Sequence, residues 1–273
     1  MGDGKPEKAD PYITPPVQRA ARLIKHIADG DPVENMASTA KTLNVNRTTL
    51  LRLLRTLEAE GFVEKRESGS GYKVGIALLS IAARSFFSQD VVQVAMPIVT
   101  RLAETTGLSA HLGVLDGTEV LYLLRRTPDV PLTSNVRAGT RLPAHATTMG
   151  RIMLGHMPAD EVTRLFEGRG LQRFSEKTPQ SVADLLALVA ADRQAGIAWS
   201  DAYFEDNISS AAVAVLNFAG RPIGALNISG PSQVLADAER RIAVTNALKE
   251  AGIEASRRLG WIGPAESRQI SST

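Results

Sequence analysis

The chain has 273 residues, more than one average domain of roughly 100–200, so one large or two modest domains are expected. With 44% hydrophobic and 22% charged residues it excludes wholesale disorder, and with no cysteine it excludes disulfide scaffolds, thiol catalysis and cysteine-ligated zinc. A formal net charge of +2 is too small to announce nucleic acid, no apolar run reaches the roughly 18 residues of a membrane helix, and a soluble, cytoplasmic protein is expected.

Residues 1–15 are polar, lack an apolar signal core and read as a flexible tail. From Val17 the apolar positions Val17, Ala20, Ala21, Leu23, Ile24 and Ile27 form a helical stripe that stops at Asp29-Gly30-Asp31-Pro32. A short helix fits Asn35–Thr42, with Met36, Ala37, Ala40 and Leu43 inward. Asn44-Val45-Asn46 follows; Asn tolerates the left-handed conformation of a tight turn, and the Asn46 side chain can cap the next helix. That helix covers about Arg47–Glu60, with Leu50, Leu53, Leu54 and Leu57 buried and Thr48, Thr49 and Arg52 on its other side. Asn35–Leu57 holds Lys41, Arg47, Arg52 and Arg55 and no carboxylate, whereas Glu58, Glu60, Glu64 and Glu67 cluster just beyond. Such a stripe is a footprint for phosphate, although a solvated helix face gives the same pattern.

Phe62–Arg66 and Tyr72–Val74 flank Ser68-Gly69-Ser70-Gly71, the tip of a Gly-rich hairpin. Helix, helix, tight turn, helix and hairpin make a winged helix-turn-helix over residues 16–75, whose third helix can present its N-terminal half to a major groove. Gly75–Ser88 is helical, with Ile76, Leu78, Leu79 and Ile81 apolar, and residues 76–88 read as a linker helix. The second domain, 89–262, opens on a helix at Asp90–Thr106. Strands follow at Ser109–Leu115, Val120–Arg125 and Leu132–Val136, with Asp116-Gly117 as a hairpin turn. Helices at Ala146–His156, Pro158–Phe166 and Val182–Gln194 lead to strands at Ala198–Tyr203, Ala211–Asn217 and Pro222–Ile228. A last helix spans about Ala236–Leu259, before a loose polar tail, 263–273. Antiparallel strands bracketed by helices make the fold class α+β.

Several segments in order resemble the IclR family of bacterial transcriptional regulators. Val17-Gln18-Arg19-Ala20 resembles the family's opening helix, and Asn46–Val63 resembles its recognition helix and the start of its wing. Gly139–Arg151 is similar to its central signature. Ala225–Pro231, with the helix ending Ser256-Arg257-Arg258-Leu259-Gly260, is similar to its C-terminal one. The resemblance implies a winged helix-turn-helix, a linker helix and an effector domain similar to GAF and PAS sensors. It also implies homodimers, often paired into homotetramers on operator DNA, and a response to a small metabolite. Departures are Leu51 at a groove-facing position, Asn44 for a turn glycine, Asn207 before Ile208, and Ser209-Ser210-Ala211 where several members carry cysteine.

Candidate double-stranded DNA contacts are Arg19, Arg47, Thr48, Thr49 and Arg52, with Lys65, Arg66 and Ser70 of the wing on phosphate. The resemblance puts Thr147, Thr148 and Met149 at a loop-to-helix junction that lines the effector pocket. It puts Asp201, Ser210, Asn227 and Ser229 on the facing strands, and Ile208 completes an apolar wall with Met149. Helix-terminal amides and small hydroxyls suit a monocarboxylate or a neutral polar metabolite. His145 is expected to be structural, since His26, His111 and His156 are the only other histidines and no HxH or HExxH spacing occurs. No metal, cofactor or catalytic residue is assigned, for no GxSxG, Walker or dinucleotide fingerprint is present. The alternative from another class is an enzyme, or a metabolite or metal sensor, carrying a degenerate helix-turn-helix.

Overall fold

Three helices and a hairpin surround a small apolar core of Leu23, Ile27, Ala40, Leu50, Leu54, Leu57 and Val63. They are α1 (Pro15–Ala28), α2 (Met36–Thr42), α3 (Arg47–Ala59), β1 (Val63–Lys65) and β2 (Tyr72–Val74), followed by α4 (Ile76–Phe87). The computed structural model describes residues 12–67, 69–87, 90–127, 136–201 and 207–263. The chain divides into two units after Phe87, so α4, expected as a separate linker, groups with the winged unit.

Local chemistry explains these elements. Pro15 opens α1, where a missing N–H costs nothing. Asn35 and Asn46 cap α2 and α3 through their side-chain oxygens, the latter accepting from the Thr49 amide at 2.7 Å. Asn44 takes the left-handed φ of 51° that the tight turn demands. The α1 stripe is narrower than its periodicity suggests: Val17 and Ala21 are exposed, as is Ala37 on α2, because the small core is filled by Leu23, Ile27 and the α3 leucines. Buried Val33 also sits at positive φ, 59°, a strain of about 1–3 kcal/mol for a β-branched residue, with its amide held by Asp31 Oδ1 at 2.8 Å. The adjacent Pro32 carbonyl accepts from the Tyr72 amide at 2.6 Å and ties the wing to the α1–α2 loop. At the wing's other strand, Glu64 Oε1 accepts from the Ile76 amide at 2.8 Å, so a wing carboxylate caps α4.

The second unit comprises α5 (Asp90–Thr106), β3 (Ser109–Asp116), β4 (Glu119–Arg126), β5 (Arg141–Pro143), α6 (Thr148–Gly155), α7 (Ala159–Phe166), α8 (Val182–Ala195), β6 (Ala198–Asp201), β7 (Ile208–Leu216), β8 (Pro222–Pro231), α9 (Ser232–Leu235) and α10 (Ala238–Arg258). Its antiparallel sheet has the order β5-β4-β3-β8-β7-β6. Strand side chains alternate between faces. Leu112, Val213 and Leu226 belong to the parity that meets α5 and α10, whereas His111, Ala212 and Asn227 belong to the parity that meets α6. The strand expected at Leu132–Val136 lies outside the described residues except for Val136, as do Ala202 and Tyr203 of the expected Ala198–Tyr203 strand. Edge strand β5 was not expected; three residues are too few to show alternation. β7 starts at Ile208 rather than Ala211, and β8 runs on to Pro231.

Helix α6 is buried along its whole length, and a buried ion pair holds it to α8. Arg151 Nε and Nη2 donate to Asp192 at 2.8 and 3.1 Å, and Nη2 also donates to the Trp199 carbonyl at 2.8 Å. Losing one partner of such a pair costs about 3–5 kcal/mol. The first turn of α6 is pressed on the preceding loop: a Cβ at Gly150 would lie 2.2 Å from the Ala144 carbonyl oxygen. Gly150→Ala is therefore expected to destabilise the protein by about 2 kcal/mol or more, read as a lowered denaturant midpoint at unchanged m-value.

Candidate functional site

The winged unit gathers its predicted contact residues on one helix pair and the hairpin. Arg47 and Leu51 of α3 line a groove with Lys65, Arg66 and Ser70 of the wing. Arg19 of α1 and Thr49 and Arg52 of α3 line a neighbouring one, and Thr48 is exposed at the start of α3. The cations differ in their company. Lys65 lies 3.6 Å from Glu58, and Arg66 lies 3.6 Å from Glu34. Arg19, Arg47 and Arg52 have no carboxylate partner among the described residues, and Arg47 and Arg52 lie within the acid-free stretch of sequence. A phosphate would meet three uncompensated charges, plus two whose surface pairs are worth only about 0–1 kcal/mol.

In the second unit a cavity of about 50 Å³, room for a few water-sized groups, lies between the sheet and the start of α6. Thr147, Thr148, Ile208, Ser210, Asn227 and Ser229 line it. Strand register explains the grouping: Ser200, Ser210 and Ser229 lie side by side across β6, β7 and β8, and Asn227 pairs with both His111 of β3 and Ala212 of β7. Asn227 is the hub. Its Nδ2 donates to the Ala211 carbonyl and to Thr148 Oγ1, each at 3.1 Å, while its Oδ1 lies 3.0 Å from His111 Nδ1. Thr148 Oγ1 is 3.2 Å from Ser210 Oγ. The first amides of a helix lack intrahelical acceptors. That of Gly150 is taken by Thr147 Oγ1 and that of Arg151 by the Thr147 carbonyl, while those of Thr148 and Met149 show no such partner among the described residues.

Two expected pocket residues lie elsewhere. Met149 is wholly buried in the core, against Gly113 and Val120, because one step along α6 from Thr148 turns a side chain by about 100°. Asp201 has the strand parity opposite to Ser200. It therefore points away from the cavity and pairs with Arg241 of α10 at 3.1 Å, accepts from Ser209 Oγ at 3.0 Å, and leaves Ser200 as the lining residue. Partial burial would raise the Asp201 carboxyl, but the Arg241 and Ser209 hydrogen bonds outweigh it and hold the group below its ordinary value. The Arg241 guanidinium also sits 4.0 Å from the ring centre of Trp199, which shares the parity of Asp201.

Several lining residues were not singled out in the sequence: His111, Tyr122, Val136, Leu142, Ala146 and Ser200, of which Leu142 and Ala146 fall within the central signature segment. Burial drives the His111 imidazole down to about 4 from 6.5; the Asn227 hydrogen bond opposes this, and the Arg125 charge reinforces it. His145 does something different. Its Nε2 donates to the Gln172 carbonyl at 2.9 Å, and its ring packs on Phe166 and Phe174. Among the described residues no three His, Asp or Glu side chains are grouped to hold a metal ion, and no helix is long and apolar enough to cross a membrane.

Residues 16–67 match the IclR helix-turn-helix domain, and residues 83–257 match the bacterial transcriptional regulator IclR C-terminal domain. Over 245 residues the chain is 29% identical to the HTH-type transcriptional regulator XynR of Escherichia coli (strain K12), covering 90% of this chain and 97% of that protein. The IclR transcriptional regulator from Alicyclobacillus acidocaldarius superimposes with a TM-score of 0.80 at 27% identity, over 91% of this chain and 100% of that one. An IclR homologue from Microbacterium hydrocarbonoxydans, solved in complex with 4-hydroxybenzoate, shares the fold at a TM-score of 0.78 and 23% identity, over 89% and 98% of the two chains.

The depressed His111 value makes stability depend on pH. Between about 4, where the folded group titrates, and 6.5, where the unfolded one does, the unfolded chain binds the extra proton. The His111 contribution is therefore full above the upper limit and is lost as pH falls through the window, by roughly 3 kcal/mol in all. Denaturant unfolding of wild type and His111→Gln at pH 7.5 and 4.5 isolates it. Wild type is expected to lose more stability than the variant on acidification, and equal losses would refute the buried neutral imidazole.

Proposed function

Since the chain belongs to the IclR family of bacterial transcriptional regulators, we propose that its first unit binds operator DNA as part of a homodimer or homotetramer and that the cavity of its second unit takes the effector. It is a ligand-responsive DNA-binding regulator with an effector-binding C-terminal domain, and its relatives are regulators rather than enzymes. The chain itself catalyses nothing in this reading and works in the cytoplasm, where the DNA is.

The observation that carries the DNA half is the uncompensated charge of Arg19, Arg47 and Arg52. Arg47 and Arg52 stand on the exposed side of α3, where a guanidinium can donate to both guanine acceptors. Thr48 and Thr49 meet phosphate or a thymine methyl, Arg19 approaches the backbone from α1, and Lys65, Arg66 and Ser70 hold phosphates through the wing. Arg47→Ala and Arg52→Ala are expected to weaken binding to the protein's own promoter by about 1–3 kcal/mol each, with relaxed specificity, whereas Lys65→Ala weakens all sequences alike and lowers the salt slope by about 1. Anisotropy titrations against promoter and random duplex at several salt concentrations separate the two. A wild-type affinity equal on both duplexes, with a shallow salt dependence, would refute the reading.

The effector is a small monocarboxylate or a neutral polar metabolite. Among the described residues the lining includes no lysine, arginine or acid, so a dianion would be desolvated there without a counter-charge. The start of α6 at Thr148, which lines the cavity, suits one carboxylate, and the complex of the Microbacterium homologue with 4-hydroxybenzoate, a monocarboxylate, favours the same class. Binding shifts the population of dimer geometries through α4, whose first amide is tied to the wing by Glu64. A thermal-shift screen is expected to rank monocarboxylates above tricarboxylates and cations, with the shift reduced in Ser229→Ala.

A further inference from the structure

We infer that the effector must bring a hydrogen-bond donor, foremost a hydroxyl, to His111 Nε2, and that His111 thereby separates hydroxylated monocarboxylates from their deoxy counterparts. The inference rests on the reading of this cavity as the effector site.

Hydrogen-bond logic runs from the backbone outward. The Ala211 carbonyl can only accept, so the Asn227 group 3.1 Å from it is the NH2. The Asn227 oxygen is thereby turned to His111, and an oxygen that can only accept makes Nδ1, 3.0 Å away, the protonated nitrogen. A neutral ring carries one proton, and burial keeps this ring neutral at pH 7. Nε2 is therefore a bare acceptor. Like Ser229 Oγ, it is buried and has no hydrogen-bond partner among the described residues, and both residues line the cavity. The ring cannot swing to repair this, since Asn227 holds one side and Tyr122 meets its face edge-on with ring centres 5.5 Å apart.

Whatever fills the cavity decides whether Nε2 is satisfied. A ligand hydroxyl can donate to it while the ligand carboxylate takes the amides at the start of α6. A ligand without a donor seals the acceptor away unpaired, and a buried unpaired polar group is penalised more heavily than a made bond is rewarded. Ser229 cannot discriminate in this way, because a hydroxyl both donates and accepts.

Imidazole 15N shifts of the full-length protein at pH 7 test the premise, and calorimetric titration of glycolate against acetate, lactate against propionate, and 4-hydroxybenzoate against benzoate tests the consequence. Nδ1 is expected to carry the proton, with Nε2 at the shift of an unprotonated imidazole nitrogen. The hydroxylated member of the pair that fits the cavity is expected to bind about tenfold or more tightly than its deoxy partner. It should also move the Nε2 shift, which a merely structural histidine would not show. In His111→Phe, which keeps a ring against Tyr122, the ratio should fall to near one. Protonated Nε2 in wild type, which is readable even if the variant does not fold, overturns the inference. So does equal binding of both members of each pair, which leaves the effector reading standing. Binding of none of the six acids, with unchanged thermal stability, overturns both.

Discussion

The second unit depends on how it satisfies the polar groups that its sheet turns inward. A buried amide or hydroxyl without a partner costs about 1–3 kcal/mol, and the inner face of β8 carries both Asn227 and Ser229. Asn227 resolves its share by joining three strands and a helix: the Ala211 carbonyl of β7, His111 of β3 and Thr148 of α6. That arrangement orients the histidine, positions the first residue of α6 and leaves a space roofed by the helix start. The cavity is what remains when this network has taken every bond it can reach.

The helix over the cavity is positioned from its far side as well. Arg151, three residues after Thr148, is almost wholly buried, and its bidentate pair with Asp192 and bond to the Trp199 carbonyl fasten α6 to α8 and β6. Gly150 lies between them, where only a hydrogen fits beneath the Ala144 carbonyl. The cap Thr147, Gly150 and Arg151 all fall within five residues, inside the segment similar to the family's central signature.

The winged unit follows a different logic, in which charge rather than burial is withheld from pairing. Its core is small and apolar, two asparagine caps set the helix starts, and acids are absent from Asn35 to Leu57. Wing cations have acidic neighbours, whereas Arg19, Arg47 and Arg52 have no carboxylate partner among the described residues. The Glu64 cap on α4 and the Pro32–Tyr72 bond tie the hairpin to the start of α4 and to the α1–α2 loop.

By itself the sequence determined the two-part layout, the α+β class, the helix cap at Asn46 and the acid-free stretch from Asn35 to Leu57, because each follows from residue type and short-range spacing. It also brought Thr148, Ser210, Asn227 and Ser229 under notice through their place in recognisable segments. What only the tertiary structure decided is which neighbour of each pair faces inward. Ser200 lines the cavity and Asp201 does not, Thr148 does and Met149 does not, since one residue reverses a strand side chain and turns a helical one by about 100°. His111 gave no local signal at all. Its role arises from the β3–β8 register that sets it against Asn227, 116 residues away, and no short-range pattern encodes a pairing across that distance.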